Sequence, residues 1–334
     1  MKKKQANAVE VAERAGVSQS TVSRVFTPGA SVSEKARRRV LEAAEELGYR
    51  PNALARGLIT NKTNMVGLIM RDVQNPFYPD ILDKFTRGLR RHGYHVLFVH
   101  TEQDEIQAEE ITQFLEYSVE GIIVTDALLS SSVAAQFAEH HIPVLLFNRY
   151  VKHAPCSVVC CDNYAAGGQI GNYLLQQGHQ AFAYIAGSSD TSTSRDREEG
   201  FRAALWQRGV EPAVEAGHYT YEGSYEAALK LLQDVRPDAI FCANDIMALG
   251  AIDAAKFLGL AVPHDVSIVG FDDIAMAAWP PYALTTWKQP VDEMIGASVE
   301  ILLREIRQQD TEPVTLLLPG ELVERNSASP FKKS

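Results

Sequence analysis

The chain has 334 residues, 46% of them hydrophobic, and a formal net charge of −10. That is enough for a small domain beside a larger one built as two lobes, and it excludes a disordered or fibrous chain. No stretch approaches the roughly 18 uncharged apolar residues of a spanning helix, and the basic start Met1 to Lys4 runs into Asn7, Glu10, Glu13 and Arg14 without an apolar signal region, so a cytoplasmic protein with no membrane partner is expected. The charge is unevenly spread: residues 1–64 hold 12 Lys and Arg against 6 Asp and Glu, a balance of +6, which leaves 20 against 36, or −16, for the other 270. A basic head on an acidic body fits a chain whose head alone approaches phosphates. The four cysteines, Cys156, Cys160, Cys161 and Cys242, sit in apolar runs without zinc spacing, as expected of buried free thiols.

Asn7 can cap a first helix with Val9, Ala12 and Ala15 at helical spacing, and Gly16-Val17 gives a tight exit. Ser18 can cap a second, with Val22, Val25 and Phe26 for a core and Gln19, Ser20, Ser23 and Arg24 left polar. Two short helices joined so tightly cross steeply, which turns the polar side of the second outward at a height suited to a major groove. Ser31 or Ser33 caps a third helix through Leu47, with Ala36, Val40, Ala43, Ala44 and Leu47 on one stripe and Gly48 ending it. Its Arg37, Arg38 and Arg39 either reach phosphates or form a solvated face.

The run Ala12-Glu-Arg-Ala-Gly-Val-Ser-Gln-Ser-Thr-Val-Ser-Arg-Val25, then Val32 to Ala44 and Leu47-Gly-Tyr-Arg-Pro-Asn-Ala-Leu-Ala-Arg-Gly-Leu58, resembles the lactose and galactose repressor family of bacterial transcriptional regulators. The resemblance implies that the second helix enters the major groove, with Gln19, Ser20 and Arg24 as base readers and Ser18, Thr21 and Ser23 near phosphates. Arg24 suits guanine O6 and N7, Gln19 an adenine edge, and Ser20 either. For Thr21 and Ser23 the alternative is local helix stabilisation by the hydroxyls.

Asn52 is a good cap, yet the segment after it is too short for a stable isolated helix, so it is expected to order only when something binds it. The resemblance makes it a hinge helix that pairs with its twin in the minor groove, with Asn52, Ala55 and Leu58 at the DNA and Leu58 as a wedge between base pairs. Otherwise Leu58 packs on the body. Gly57 raises the cost of helix and so the dependence on DNA.

From Asn64 onward short apolar runs alternate with amphipathic stretches. Strands are expected at 65–70, 95–99, 121–125, 143–147, 157–161, 181–186, 239–243, 267–271 and 315–318, with helices such as 81–92, 109–117, 165–176, 199–207 and 247–257. Strands without polar alternation, each followed by a helix, predict parallel sheets covered on both faces. The fold class is therefore an all-α helix-turn-helix head on a two-lobed α/β body, which the resemblance makes similar to periplasmic binding proteins. The expected divisions are 1–50 for the head, 51–61 for the hinge and linker, and 62–334 for effector binding and dimerisation. Within the last, lobe one takes about 62–161 and 290–318, and lobe two about 162–289 and 319–334.

Ligands in open parallel sheets sit beyond the carboxyl ends of the strands, and here those ends lead into Asp72 to Tyr78, Asn148-Arg149, Asp162-Asn163, Asn244-Asp245 and Asp272-Asp273. The hydroxyl-rich run from Ala186 to Ser194 reads as a flexible loop without a nucleotide-phosphate motif. The resemblance implies an effector site of Phe77 and Tyr78 as aromatic walls with Asp162, Thr193, Arg197, Tyr219, Asn244, Asp272 and Gln289. Arg197 and Asp272 would engage hydroxyls of a sugar or a heterocycle edge, or else form an ion pair bridging the lobes. Arg149 adds a second cation that admits an acidic effector, and Asp245 reads as a cap more than as a ligand contact.

The expected protein is a sequence-specific repressor, a homodimer on a pseudo-palindromic double-stranded operator, controlled by a small polar molecule such as a sugar or a derivative. It needs no cofactor and no metal. An enzyme with a DNA-binding appendage finds no activated nucleophile, metal cluster or cofactor motif. A pure sugar-binding protein is at odds with the specific head.

Overall fold

The computed structural model describes residues 6–26, 29–50, 62–103, 105–151, 155–308 and 312–331. The chain divides into two compact units, Met1–Asn64 and Met65–Ser334. The hinge segment 51–61, with Asn52, Ala55, Gly57 and Leu58, lies outside the described residues.

The first unit holds helices α1 (Ala8–Ala15), α2 (Gln19–Val25) and α3 (Glu34–Leu47). Asn7 accepts hydrogen bonds from the amides of Val9 and Glu10, and the Glu10 carboxylate reaches back to the Asn7 amide, so two orphan donors of the first turn are satisfied at once. Gly16, at φ 64°, stops α1 in a left-handed conformation that costs glycine nothing. Ser18 caps α2 and Ser33, not Ser31, caps α3. The core consists of Val11, Ala12, Ala15, Val22, Val25, Val40, Ala43 and Ala44. Val9, expected inside, is 47% exposed, while Val11 is fully buried. Because α1 starts at Ala8, its inner stripe runs 8, 11, 12, 15, and position 9 lies about 100° off it.

The second unit contains two six-stranded sheets. One has the order β11-β5-β4-β3-β1-β2, from β1 (Met65–Met70), β2 (His95–His100), β3 (Gly121–Val124), β4 (Val144–Phe147), β5 (Ser157–Cys161) and β11 (Thr315–Leu318). The other runs β12-β10-β9-β8-β6-β7, from β6 (Phe182–Ala186), β7 (Ala213–Ala216), β8 (Ala239–Cys242), β9 (Ser267–Asp272), β10 (Thr285–Lys288) and β12 (Glu321–Val323). All pairings are parallel except that of β12 with β10. The chain passes between the sheets three times, after β5, after β10 and after β11. Helices α4 (Phe77–Arg91), α5 (Ala108–Glu116), α6 (Ser131–Glu139) and α11 (Val291–Arg307) alternate with the first sheet's strands, and α7 (Asn163–Gln176), α8 (Ser192–Trp206), α9 (Tyr221–Lys230) and α10 (Asp245–Phe257) with the second's. Fully apolar central strands such as β3, β4 and β8 are buried along their whole length, as coverage on both faces requires.

Three strands have no counterpart in the sequence reading. β7 and β12 are short, half-exposed edges without an apolar run, and β10 carries the buried Thr285 and Thr286. Those threonines tolerate a sheet interior because their hydroxyls donate to the Arg325 carbonyl and to Asp245. Two helices start earlier than expected. α4 begins at Phe77, with Pro79 in its first turn where the missing amide hydrogen is harmless. α8 begins at Ser192, capped by Thr191, so residues 192–194 of the expected flexible loop are a buried first helical turn. Among the described residues no helix is long and apolar enough to cross a membrane. The four cysteines are buried and unpaired, and burial pushes the Cys156 and Cys161 thiols up to about 11, so they stay protonated.

Candidate functional site

Helix α2 turns Val22 and Val25 into the core of its unit and leaves Gln19, Ser20 and Arg24 exposed, with Thr21 and Ser23 half-buried. The Ser18 hydroxyl lies 2.8 Å from that of Ser20 and 2.9 Å from that of Thr21, and it also accepts the Thr21 amide, so Thr21 does stabilise the helix start locally. The three arginines of α3 part ways. Arg37 turns inward and donates to the Val25 carbonyl at the end of α2, whereas Arg38 and Arg39 remain exposed.

The cleft of the second unit is built by close helix packing. A Cβ on Gly167 of α7 would lie 2.2 Å from the Arg197 carbonyl of α8, and one on Gly200 of α8 would lie 2.0 Å from the Tyr164 carbonyl. Only glycine lets the two backbones approach this far, and that approach brings Arg197 Nε within 2.8 Å of Asn163 Oδ1. Arg197 also donates through Nη1 to the Ala243 carbonyl at 2.5 Å and lies 3.5 Å from the centroid of Phe271. A planar cation held by three elements and an aromatic face is fixed before any ligand arrives.

Asp272 ends β9 at φ 118° with Oδ1 3.8 Å from Arg197 Nη2, and it accepts from Gln289 Nε2 at 2.7 Å. Burial pushes its pKa up to about 6, against the pull of Arg197 and Gln289. Both Arg197 and Asp272 belong to the second sheet's lobe, so the pair does not bridge the lobes. Behind them Asp245 is completely buried, taking Thr286 Oγ1 at 2.5 Å and the Ile274 amide at 2.9 Å. Burial and the charge of Asp272 push its pKa well above the usual carboxylate range. Asn244 caps α10 through the Met247 amide, and the Tyr219 hydroxyl meets Thr193 Oγ1 at 3.0 Å.

The facing wall comes from the first lobe. Tyr78 is buried, its hydroxyl accepting from Asn148 Nδ2 at 3.4 Å, and burial pushes its pKa up so that it stays neutral. Arg149 Nη1 donates to the Asp126 carbonyl at 2.5 Å. The Asp126 carboxylate takes the amides of Arg71 and Asp72 and the Thr125 hydroxyl.

Six of the nine expected effector residues, Tyr78, Thr193, Arg197, Tyr219, Asn244 and Asp272, line this one cavity together with Asp72, Asn75, Asn148 and Arg149 of the expected strand-end runs, and the structure adds Arg71 and Asp126. Its free volume is about 20 Å³, room for about one water. The other three expected residues lie elsewhere. Phe77 packs edge-on against Tyr78 and, with Gln289, lines a groove of about 710 Å³ that shares Asp272 with the cavity. Gln289 thus meets the cavity only through its hydrogen bond to Asp272. Asp162 caps α7 through the Ala165 amide and lines a third hollow of about 460 Å³. The 710 Å³ groove is the roomier, but its lysines are already engaged with carboxylates, Lys84 with Asp80 and Asp292, and Lys288 with Glu321. Asp126 follows β3 as Asp272 ends β9, so the same strand-end pattern marks it.

Residues 63–326 match the family model of periplasmic binding proteins and the sugar binding domain of the LacI family, and residues 9–52 match that of bacterial regulatory proteins, lacI family. The HTH-type transcriptional regulator DegA of Bacillus subtilis (strain 168) is 33% identical over 329 residues, covering 96% of this chain and 98% of its own. The Lac repressor dimer bound to operator and the anti-inducer ONPF superposes with a TM-score of 0.87 at 28% identity, over 97% of this chain and 99% of that one. The transcriptional regulator CelR in complex with cellobiose does so at 0.71 and 29%, over 96% and 99%. A reading head with its outward polar helix, joined in one chain to a two-lobed body, is thus matched along nearly its whole length. The chain belongs to the LacI family of bacterial regulatory proteins, as a sequence-specific DNA-binding regulator and not an enzyme.

Proposed function

We propose that this chain is a repressor that binds a pseudo-palindromic operator as a homodimer and is controlled by a small polar effector, a sugar or a derivative, in the cavity between its lobes. The observation that carries the reading is the convergence of buried polar side chains from both lobes, Tyr78 and Arg149 from one and Arg197 and Asp272 from the other, on a cavity too tight for a sugar. Buried polar groups left short of partners are costly, so such a set favours a polar ligand that bridges the walls when the lobes part and reclose. The Lac repressor's own dimer, operator and anti-inducer, and CelR's cellobiose, support the same reading.

A second copy of the chain is supported by an aromatic surface on the second lobe. Phe257 is 72% and Trp279 53% exposed, and they adjoin Tyr225, which neighbours Phe257, and Tyr282, which shares Asp253 with Tyr221. Exposed aromatics joined through half-buried tyrosines in this way favour an association surface. In this reading Gln19, Ser20 and Arg24 read bases, Ser18, Thr21 and Ser23 lie near phosphates, and Asn52, Ala55 and Leu58 act at the operator centre, where the two hinge segments meet and Leu58 enters a base step. Lobe closure governs whether the hinges can meet, and a coupling of about 1 to 3 kcal/mol would change operator affinity about 5- to 150-fold.

The test is Arg197→Ala in the intact protein, with operator affinity measured against a panel of sugars after the operator has been selected from random DNA. The variant is expected to keep operator binding and to lose the response to any sugar that moves the parent. A titration matching the parent's would remove the cavity from the reading.

A further inference from the structure

The cavity is balanced in charge, with Arg71, Arg149 and Arg197 against Asp72, Asp126 and Asp272. Its buried side-chain atoms without a hydrogen-bond partner include the donor Arg149 Nε and, next to it, the amide oxygen Asn148 Oδ1. Two carboxylates are well served, Asp126 by two backbone amides and the Thr125 hydroxyl and Asp72 by the amides of Gln74 and Asn75, while Asp272 has the one donor Gln289 with Arg197 nearby. Arg197 is served too, since Asn163 and the Ala243 carbonyl take two of its donors and Asp272 stands beside it. Arg149 is less fully spent than Arg197. It is only 7% exposed, its Nη1 donates to a neutral backbone carbonyl, its guanidinium also meets the Tyr78 hydroxyl, and its Nε has no hydrogen-bond partner. A desolvated guanidinium has five donors in a fixed fork, so a buried one with a donor unspent calls for an acceptor that comes from outside, best an anion that takes two of them at once.

Resting on the effector reading above, we propose that the effector is a hydroxylated anion, its carboxylate or phosphate ester seated on Arg149 of the first lobe and its hydroxyls on Arg197 and Asp272 of the second. The two ends are not interchangeable. The charge of Asp272, 3.8 Å from Arg197, repels an anion from the second lobe, whereas around Arg149 the Asp126 carboxylate is turned to the backbone amides of Arg71 and Asp72. Tyr78, kept neutral by burial, adds no negative charge beside Arg149, and the nearby Asp126 carboxylate is partly offset by the amides it accepts. A ligand held at one end by each lobe draws the lobes together only when both ends are present, so a neutral sugar and a bare anion are each incomplete effectors.

The experiment titrates the intact protein with inorganic phosphate and with matched sets of one sugar as neutral aldose, aldonic acid and phosphate ester, at constant ionic strength, reading binding by calorimetry and operator affinity in parallel. In at least one set the anionic member is expected to bind about tenfold or more tightly than the aldose; acid and ester arms tell the two anion sources apart. Arg149→Met should erase that preference and Arg149→Lys retain part of it, each variant first shown by its melting curve to be folded. The proposal is overturned if the aldose binds as well as its anions in every set, if no anion binds at millimolar concentration, or if folded Arg149→Met keeps the preference. Anion binding that needs Arg149 but leaves operator affinity unmoved upholds the anion seat and overturns the regulatory reading beneath it.

Discussion

Asp272→Asn is expected to make the body more stable while removing its response to effector. Asp272 is 8% exposed and its pKa stands at about 6 against an ordinary value of 3.8. At 1.36 kcal/mol for each pH unit, that gap corresponds to about 3 kcal/mol of folding free energy withheld when the group is ionised. Below about pH 4 the carboxyl is protonated in both folded and unfolded chains and contributes no difference. As the pH rises toward 6 the unfolded chain gives up its proton first, so stability falls, and above about 6 the full cost is present. Asparagine mimics the protonated acid and never ionises. The variant should therefore match the parent near pH 4 and exceed it by about 3 kcal/mol at pH 7.5, and somewhat more because the Asp272 charge also raises the pKa of Asp245. Urea unfolding followed by tryptophan fluorescence reads the body alone, since all three tryptophans, Trp206, Trp279 and Trp287, lie in it. A stability difference that stays constant between pH 4.5 and 7.5 would show that ionised Asp272 carries no such cost.

Two further substitutions test the reading head and the lobe contact. Arg24→Ala should weaken binding to the selected operator by about 1 to 3 kcal/mol while changing the salt dependence little, as expected of a base contact; an equal loss on random DNA would make Arg24 a phosphate contact. Tyr150, which follows β4 in the first lobe, donates its hydroxyl to Asp196 Oδ1 at 3.1 Å and its amide to Ser192 Oγ at 2.9 Å, both on α8 of the second. Tyr150→Phe removes the first bond and should weaken lobe closure by about 1 kcal/mol, read by small-angle scattering as a larger radius of gyration; an unchanged radius together with unchanged effector affinity would show that the contact holds nothing shut.

What the sequence displayed best was burial. Runs such as Gly121 to Val124 and Ala239 to Cys242 have no polar alternation, and each is a central parallel strand. Edge strands carry no such mark, and so Ala213–Ala216 and Glu321–Val323 escaped notice. Thr285 and Thr286 looked polar and are buried, because the acceptors that admit them, the Arg325 carbonyl and Asp245, are distant in sequence. The hydroxyl run before Arg197 looked like a loop since serine and threonine favour both loops and helix caps, and only Thr191 turned out to be the cap. In the cavity, the resemblance had made both Phe77 and Tyr78 aromatic walls. Neighbours on a helix point about 100° apart, and only Tyr78 faces the cavity. The glycines that bring Arg197 to Asn163 were silent in the sequence, because a close approach of two helices is a property of the pair.

The cost carried by Asp272 gives the proposed control a physical size. An effector alters operator affinity only through its different affinity for two arrangements of the lobes, and a ligand that binds both equally moves nothing. In the cavity an ionised Asp272 is desolvated with one amide donor and a cation 3.8 Å away, a deficit of roughly 3 kcal/mol. Hydroxyls donated to that carboxylate would recover part of the deficit only in the closed arrangement, since opening the lobes gives Asp272 back to water. A recovery of even about 2 kcal/mol falls within the 1 to 3 kcal/mol range of a typical allosteric coupling. In the proposed mechanism a single buried carboxylate at a strand end thus offers a free-energy difference of the size that such control needs. Stability and regulation conflict at this residue in the proposed mechanism: neutralising Asp272 relieves the body and takes the effector response away.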